Sequence, residues 1–112
     1  MGEMVTFKSD GYTCDGYIAG SGPGVLVIQE WWGLVPHIKD VVDRFGTAGF
    51  TALAPDLYHG QVSTEPDGAG KLMMALNLQQ AGKDMSGAID LLQERSGSPK
   101  VGVVGYCMGG GL

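Results

Sequence analysis

The sequence predicts an α/β protein built on a mostly parallel sheet with flanking helices. Two observations carry that expectation. Val25 to Gln29, Phe50 to Ala54 and Val101 to Gly105 are short apolar runs bounded by turn residues, the pattern of strands buried on both faces. Between them lie stretches whose apolar residues recur at helical spacing, so strand and helix alternate as in βαβ units.

The elements follow in order. Val5-Thr6-Phe7-Lys8 and Tyr17-Ile18-Ala19 read as short strands around turns at Asp10-Gly11 and Asp15-Gly16. Gly20-Ser21-Gly22-Pro23-Gly24 breaks the chain before the first buried strand. A glycine-rich phosphate loop links a strand to a following helix, and here the order is reversed, so a dinucleotide site is not expected. Val35, Ile38, Val41, Val42 and Phe45 mark a helix that starts near Pro36 and stops at Gly46 or Gly49. A polar loop is expected through about Gly68. Helical material then fills much of Gly70 to Gln93, with Leu72, Leu76, Ala88, Ile89, Leu91 and Leu92 on its apolar faces. Met73, Met74 and Met85 fit as gap-fillers in the core. Ser96-Gly97-Ser98-Pro99 reads as a turn.

Composition narrows the function. The 112 residues allow one domain with a modest core, and 44% hydrophobic with 17% charged residues is a globular balance. A net charge of −5 without any Lys/Arg run excludes nucleic acid as an expected partner. No apolar run approaches the roughly 18 residues of a membrane-spanning helix, and the polar opening does not read as a secretory signal. Met1-Gly2-Glu3-Met4-Val5-Thr6 fits the loose myristoylation pattern only formally, because Thr6 sits in a strand-like run. Cys14 and Cys107 have no metal-like spacing and suit a reducing cytoplasm, the expected location.

Chemistry enters at Gly105-Tyr106-Cys107-Met108-Gly109. A buried strand leads into it, and glycines stand two before and two after the cysteine. That is the nucleophile elbow of α/β-hydrolases, a strained strand-to-helix turn that holds the nucleophile above the sheet. The amides of the following helical turn favour negative charge there. They would lower a thiol that ordinarily titrates near about 8.5. The bland alternative is an inert buried thiol in a glycine-rich turn.

Gln29-Glu30-Trp31-Trp32-Gly33, Pro55-Asp56-Leu57-Tyr58 and Gly105-Tyr106-Cys107-Met108-Gly109-Gly110 resemble, in that order, the motifs of the dienelactone hydrolase family. The resemblance covers nearly the whole chain. It implies hydrolysis of a small carboxylic ester or lactone through an acyl-enzyme on Cys107. The backbone amides of Met108 and Trp31 would form the oxyanion hole, and Glu30 would partner the resting thiol. A carboxylate at the end of an apolar strand is costly to bury, which favours a functional Glu30 over a rim carboxylate. The family grips a substrate carboxylate with an arginine after the Pro-Asp-Leu-Tyr strand. No arginine lies between Tyr58 and Gln93 here. Lys71 is the nearest cation, though a point charge does not replace a bidentate fork. Tyr58 and His59 fall where they could line the pocket or belong to a surface loop. The family needs no metal or organic cofactor.

In this fold the acid and histidine of the triad follow the nucleophile. They have no counterpart before Leu112, and His37 and His59 precede the elbow. The chain therefore reads as the N-terminal half of an α/β-hydrolase domain, residues 1–112. A C-terminal half or a second chain is expected to complete the sheet, which would otherwise present an open apolar edge. Two other readings are a catalytically silent binding or assembly module and a thiol-redox protein; the latter lacks a Cys-x-x-Cys pair.

Overall fold

A computed structural model of the chain describes residues 2–29, 33–62, 65–75 and 78–105, the side chains at 66, 73–75 and 78 excepted. Strands β1 (Glu3–Ser9), β2 (Tyr12–Ala19) and β3 (Gly24–Ile28) lead to helix α1 (Pro36–Thr47). Strand β4 (Thr51–Pro55), helices α2 (Pro66–Ala75) and α3 (Leu78–Ser96), and strand β5 (Val101–Gly105) follow. The five strands form one sheet in the order β1-β2-β4-β3-β5.

Chain geometry dictates the mixed directions. Asp10 and Gly11 both take positive φ, 36° and 86°, as a two-residue hairpin turn of the twist-matched kind requires, so β1 and β2 are antiparallel. The link from β2 to β3 is too short for a parallel crossover. β2 therefore runs opposite to β3 and pairs antiparallel with β4. The crossovers through α1 and α3 are long enough for β4-β3-β5 to be parallel. The expected mostly parallel sheet is thus a parallel core with an antiparallel hairpin on one side.

The strand period of two sorts the core into two layers. Val25, Val27, Ala52 and Ala54 face α1 and pack with Ile38, Val41 and Val42. Leu26, Ile28 and Leu53 face the other way, with Phe7, Ile18, Ala81, Ala88 and Leu92 on the α3 side. Met85 packs against that second layer, as a gap-filler should. Each fully buried Leu or Ile contributes roughly 1.5–3 kcal/mol, so apolar burial holds the three layers together.

Two expectations are corrected. Asp15-Gly16 is not a turn but lies inside β2, opposite Val5 and Thr6 on β1. A glycine is needed there for space: a Cβ would sit 2.9 Å from Leu53 Cδ1 and 3.0 Å from the Ala54 carbonyl oxygen. The loop expected through Gly68 ends earlier, because α2 opens at Pro66 with Asp67 in its first turn. Both residues suit a helix start.

β5 pairs with β3 and, among the described residues, with nothing on its other side; Val103 is 59% exposed. Gly87 shows how closely α3 seats on the hairpin. A Cβ there would lie 2.2 Å from the Lys8 carbonyl oxygen and 3.2 Å from the Phe7 ring. Gly→Ala inside a helix ordinarily stabilises by about 1 kcal/mol. Gly87→Ala is expected instead to destabilise by about 1–3 kcal/mol, as overpacking does. Denaturant unfolding of the variant checks the sign.

Candidate active-site edge

The parallel strands β4, β3 and β5 deliver their C-terminal ends to one edge of the sheet, where α/β proteins place their sites. Ile28 is in register with Gly105, and Leu26 with Leu53. The chain therefore leaves the sheet toward Glu30 and toward Cys107 from adjacent, aligned strand ends. Glu30, Trp31, Cys107 and Met108 themselves lie outside the described residues.

Two side chains organise the described part of this edge. Gln29 is fully buried, and its Oε1 accepts a hydrogen bond from the Leu57 amide at 2.8 Å. That bond ties the residue before Glu30 to the loop after β4. Its Nε2 is buried with no partner among the described residues. Asp56 Oδ1 accepts from the Tyr58 amide at 3.2 Å and its Oδ2 from the Gly60 amide at 2.6 Å. The Asp56 carboxylate thus winds residues 56–60 into a turn, the physical content of the Pro55-Asp56-Leu57-Tyr58 motif. Burial raises the Asp56 pKa above the usual carboxylate range, opposed by the Gly60 and Tyr58 amides. The two loops also touch. Gly33 has φ 106°, and a Cβ on it would lie 2.7 Å from the Gln61 carbonyl oxygen, so the loop after β3 packs directly on the loop after β4.

Of the remaining expected site residues, Tyr58 is 7% exposed and packs in the α3-side core, where burial raises its phenol pKa. His59 takes a left-handed backbone, φ 52°, and turns its ring to α3, with Nε2 2.7 Å from Asp84 Oδ2. Lys71 is exposed on α2.

Sequence reasoning missed the group that His59 joins. Asp84 on α3 is fully buried and accepts hydrogen bonds at Oδ1 from Ser9 Oγ (2.5 Å) and Gln80 Nε2 (3.0 Å). Cys14 on β2 lies beside it, 1% exposed, its Sγ 3.6 Å from the Asp56 carbonyl oxygen. Desolvation pushes the Cys14 thiol up to about 12, with the Asp84 charge adding to the rise. An unfolded chain would ionise this thiol near 9.0 while the folded one keeps its proton. Stability is therefore lost as pH rises from about 9 to about 12, by ~1.4 kcal/mol for each unit. Cys14→Ser lacks this titration, so its stability is expected to fall less steeply over that window; urea midpoints measured against pH test it.

The strand order, the helices on both faces and the strand-end edge define the chain as part of an α/β-hydrolase fold. It belongs to the dienelactone hydrolase family, whose model matches residues 10–112. The chain is 46% identical over its full length to Protein usf of Aquifex pyrophilus, covering 53% of that protein. Carboxymethylenebutenolidase 1 of Cupriavidus pinatubonensis is 34% identical over 82% of this chain and 44% of its own. The structure of a dienelactone hydrolase-like promiscuous phosphotriesterase from metagenomic libraries superposes with a TM-score of 0.80 at 25% identity, over 98% of this chain and 50% of that one. The chain thus spans about half the length of the relatives it matches.

Proposed function

We propose that this chain carries the nucleophile half of a hydrolase of small carboxylic esters or lactones. Cys107 attacks the acyl carbonyl, forming a thioester acyl-enzyme and expelling the alcohol, and water then releases the acid. The amides of Met108 and Trp31 stabilise the oxyanion of each tetrahedral intermediate. Glu30 partners the thiol before attack. The observation that carries this reading is the register of Ile28 with Gly105, which sends the Glu30 and Cys107 segments off adjacent strand ends of a family member's sheet.

The reaction also needs an acid and a histidine after the nucleophile. In this proposal they come from a further segment or a second chain, paired along the free edge of β5, where Val103 is exposed. Lys71, exposed on α2, offers the anionic end of a substrate a point charge and not the bidentate grip of the family's arginine, and Tyr58 and His59 shape the loop after β4. No helix among the described residues is long and apolar enough to cross a membrane, and the reading places the enzyme in the cytoplasm.

Alkylation by iodoacetamide against pH tests the activated thiol. Cys107 is expected to react with a midpoint below the about 8.5 of a free cysteine, while Cys14 stays unreactive in the folded protein. A Cys107 midpoint at or above that value would favour the silent binding module instead.

A further inference from the structure

Cys14, His59 and Asp84 stand far apart in the sequence, yet β2, the loop after β4 and α3 bring their ligand atoms within 4.8 Å of one another. We propose that these three side chains form a binding site for a thiolate-preferring divalent cation, zinc by chemistry, distinct from the Cys107 centre.

The donor set is one sulfur, one imidazole nitrogen and one carboxylate oxygen, all zinc ligands. Tetrahedral zinc holds such donors at about 2.0–2.3 Å and hence about 3.3–3.6 Å from each other. The His59–Asp84 contact of 2.7 Å would open slightly, and the sulfur, within 4.8 Å of the other two donors, would close by at most about 1.5 Å. The fourth position opens to solvent on the side of His59, whose side chain is 43% exposed.

Charge favours occupation. Asp84 is wholly buried, and its neighbours Ser9 and Gln80 are neutral. A divalent cation with one thiolate, one carboxylate and a neutral imidazole makes a site of zero net charge, which removes most of the cost of burying the anions. The metal replaces the Sγ proton of Cys14, which leaves to solvent, and takes Nε2 of His59 as a neutral imidazole with its proton on Nδ1. Ser9 Oγ and Gln80 Nε2 already bond the carboxylate oxygen that the metal does not need, as outer-shell partners do. Bound there, the ion would clamp the turn at residues 56–60 to β2 and α3, below the strand-end edge.

Cobalt(II) titration of the metal-free protein tests this, read by its thiolate-to-cobalt charge-transfer absorption, with zinc competing the cobalt away. One equivalent is expected to give the band. Cys107→Ala should keep it. Cys14→Ser should lose it, and His59→Ala should weaken binding by more than the roughly 100-fold that loss of an outer-shell partner costs. His59 is exposed, so that variant is expected to fold, which far-ultraviolet circular dichroism checks. No band in the unaltered protein, a band lost with Cys107, or undiminished binding in Cys14→Ser or His59→Ala would each overturn the site.

Discussion

Cys107→Ala is expected to reduce turnover of a chromogenic short-chain ester by ~10^4-fold or more, the scale at which loss of a covalent nucleophile is felt. The oxyanion amides and the substrate pocket would survive the change, so KM should shift far less than kcat. Cys107 follows the end of β5, outside the described residues, so the stability of the variant is measured beside its turnover. Steady-state kinetics beside a denaturant melt separates chemistry from folding. Turnover within tenfold of the parent would move the nucleophile elsewhere.

The second large effect concerns stability. Asp84→Ala is expected to lower the unfolding free energy by about 2–4 kcal/mol. The carboxylate joins Ser9 on β1, Gln80 on α3 and His59 after β4, and hydrogen bonds to a charged acceptor are worth about 1.5–3 kcal/mol each. Part of that sum returns, since His59 is exposed enough to find water and Gln80 is only half-buried. Ser9, at 1% exposure, still accepts from Gln80 Nε2 at 3.2 Å, but its own hydroxyl proton loses its acceptor. Urea unfolding checks the magnitude. Asp84→Asn, which still accepts at its oxygen, should lose less.

Much of the fold was legible because apolar period and punctuation agree. The runs at Val25, Thr51 and Val101 are too short and too apolar to be helices, and Pro36 begins a helix just where the period changes. The hairpin was harder. Asp15-Gly16 resembles turn chemistry locally, yet the long-range approach of Leu53 to the Gly16 Cα makes it a strand position. No window in the sequence contains that contact. The same reason hid the Cys14, His59 and Asp84 cluster, whose members are brought together only by packing of α3 on the hairpin. Within the candidate site, the strand ends that lead toward Glu30 and Cys107 were legible, since each closes a local apolar run. The structural role of Asp56 was not, because its signature is a set of backbone amides within its own turn.

The acyl-enzyme itself is the most direct test of the account. The chain, together with the segment or second chain that supplies the acid and histidine, is mixed with an activated short-chain ester, quenched in acid within the first turnover, digested and mapped by mass spectrometry. The account predicts one added acyl group on the peptide containing Cys107, absent after hydroxylamine treatment and absent in Cys107→Ala. Consumption of ester with no adduct on Cys107, an adduct that persists on another residue in Cys107→Ala, or no consumption at all would contradict it.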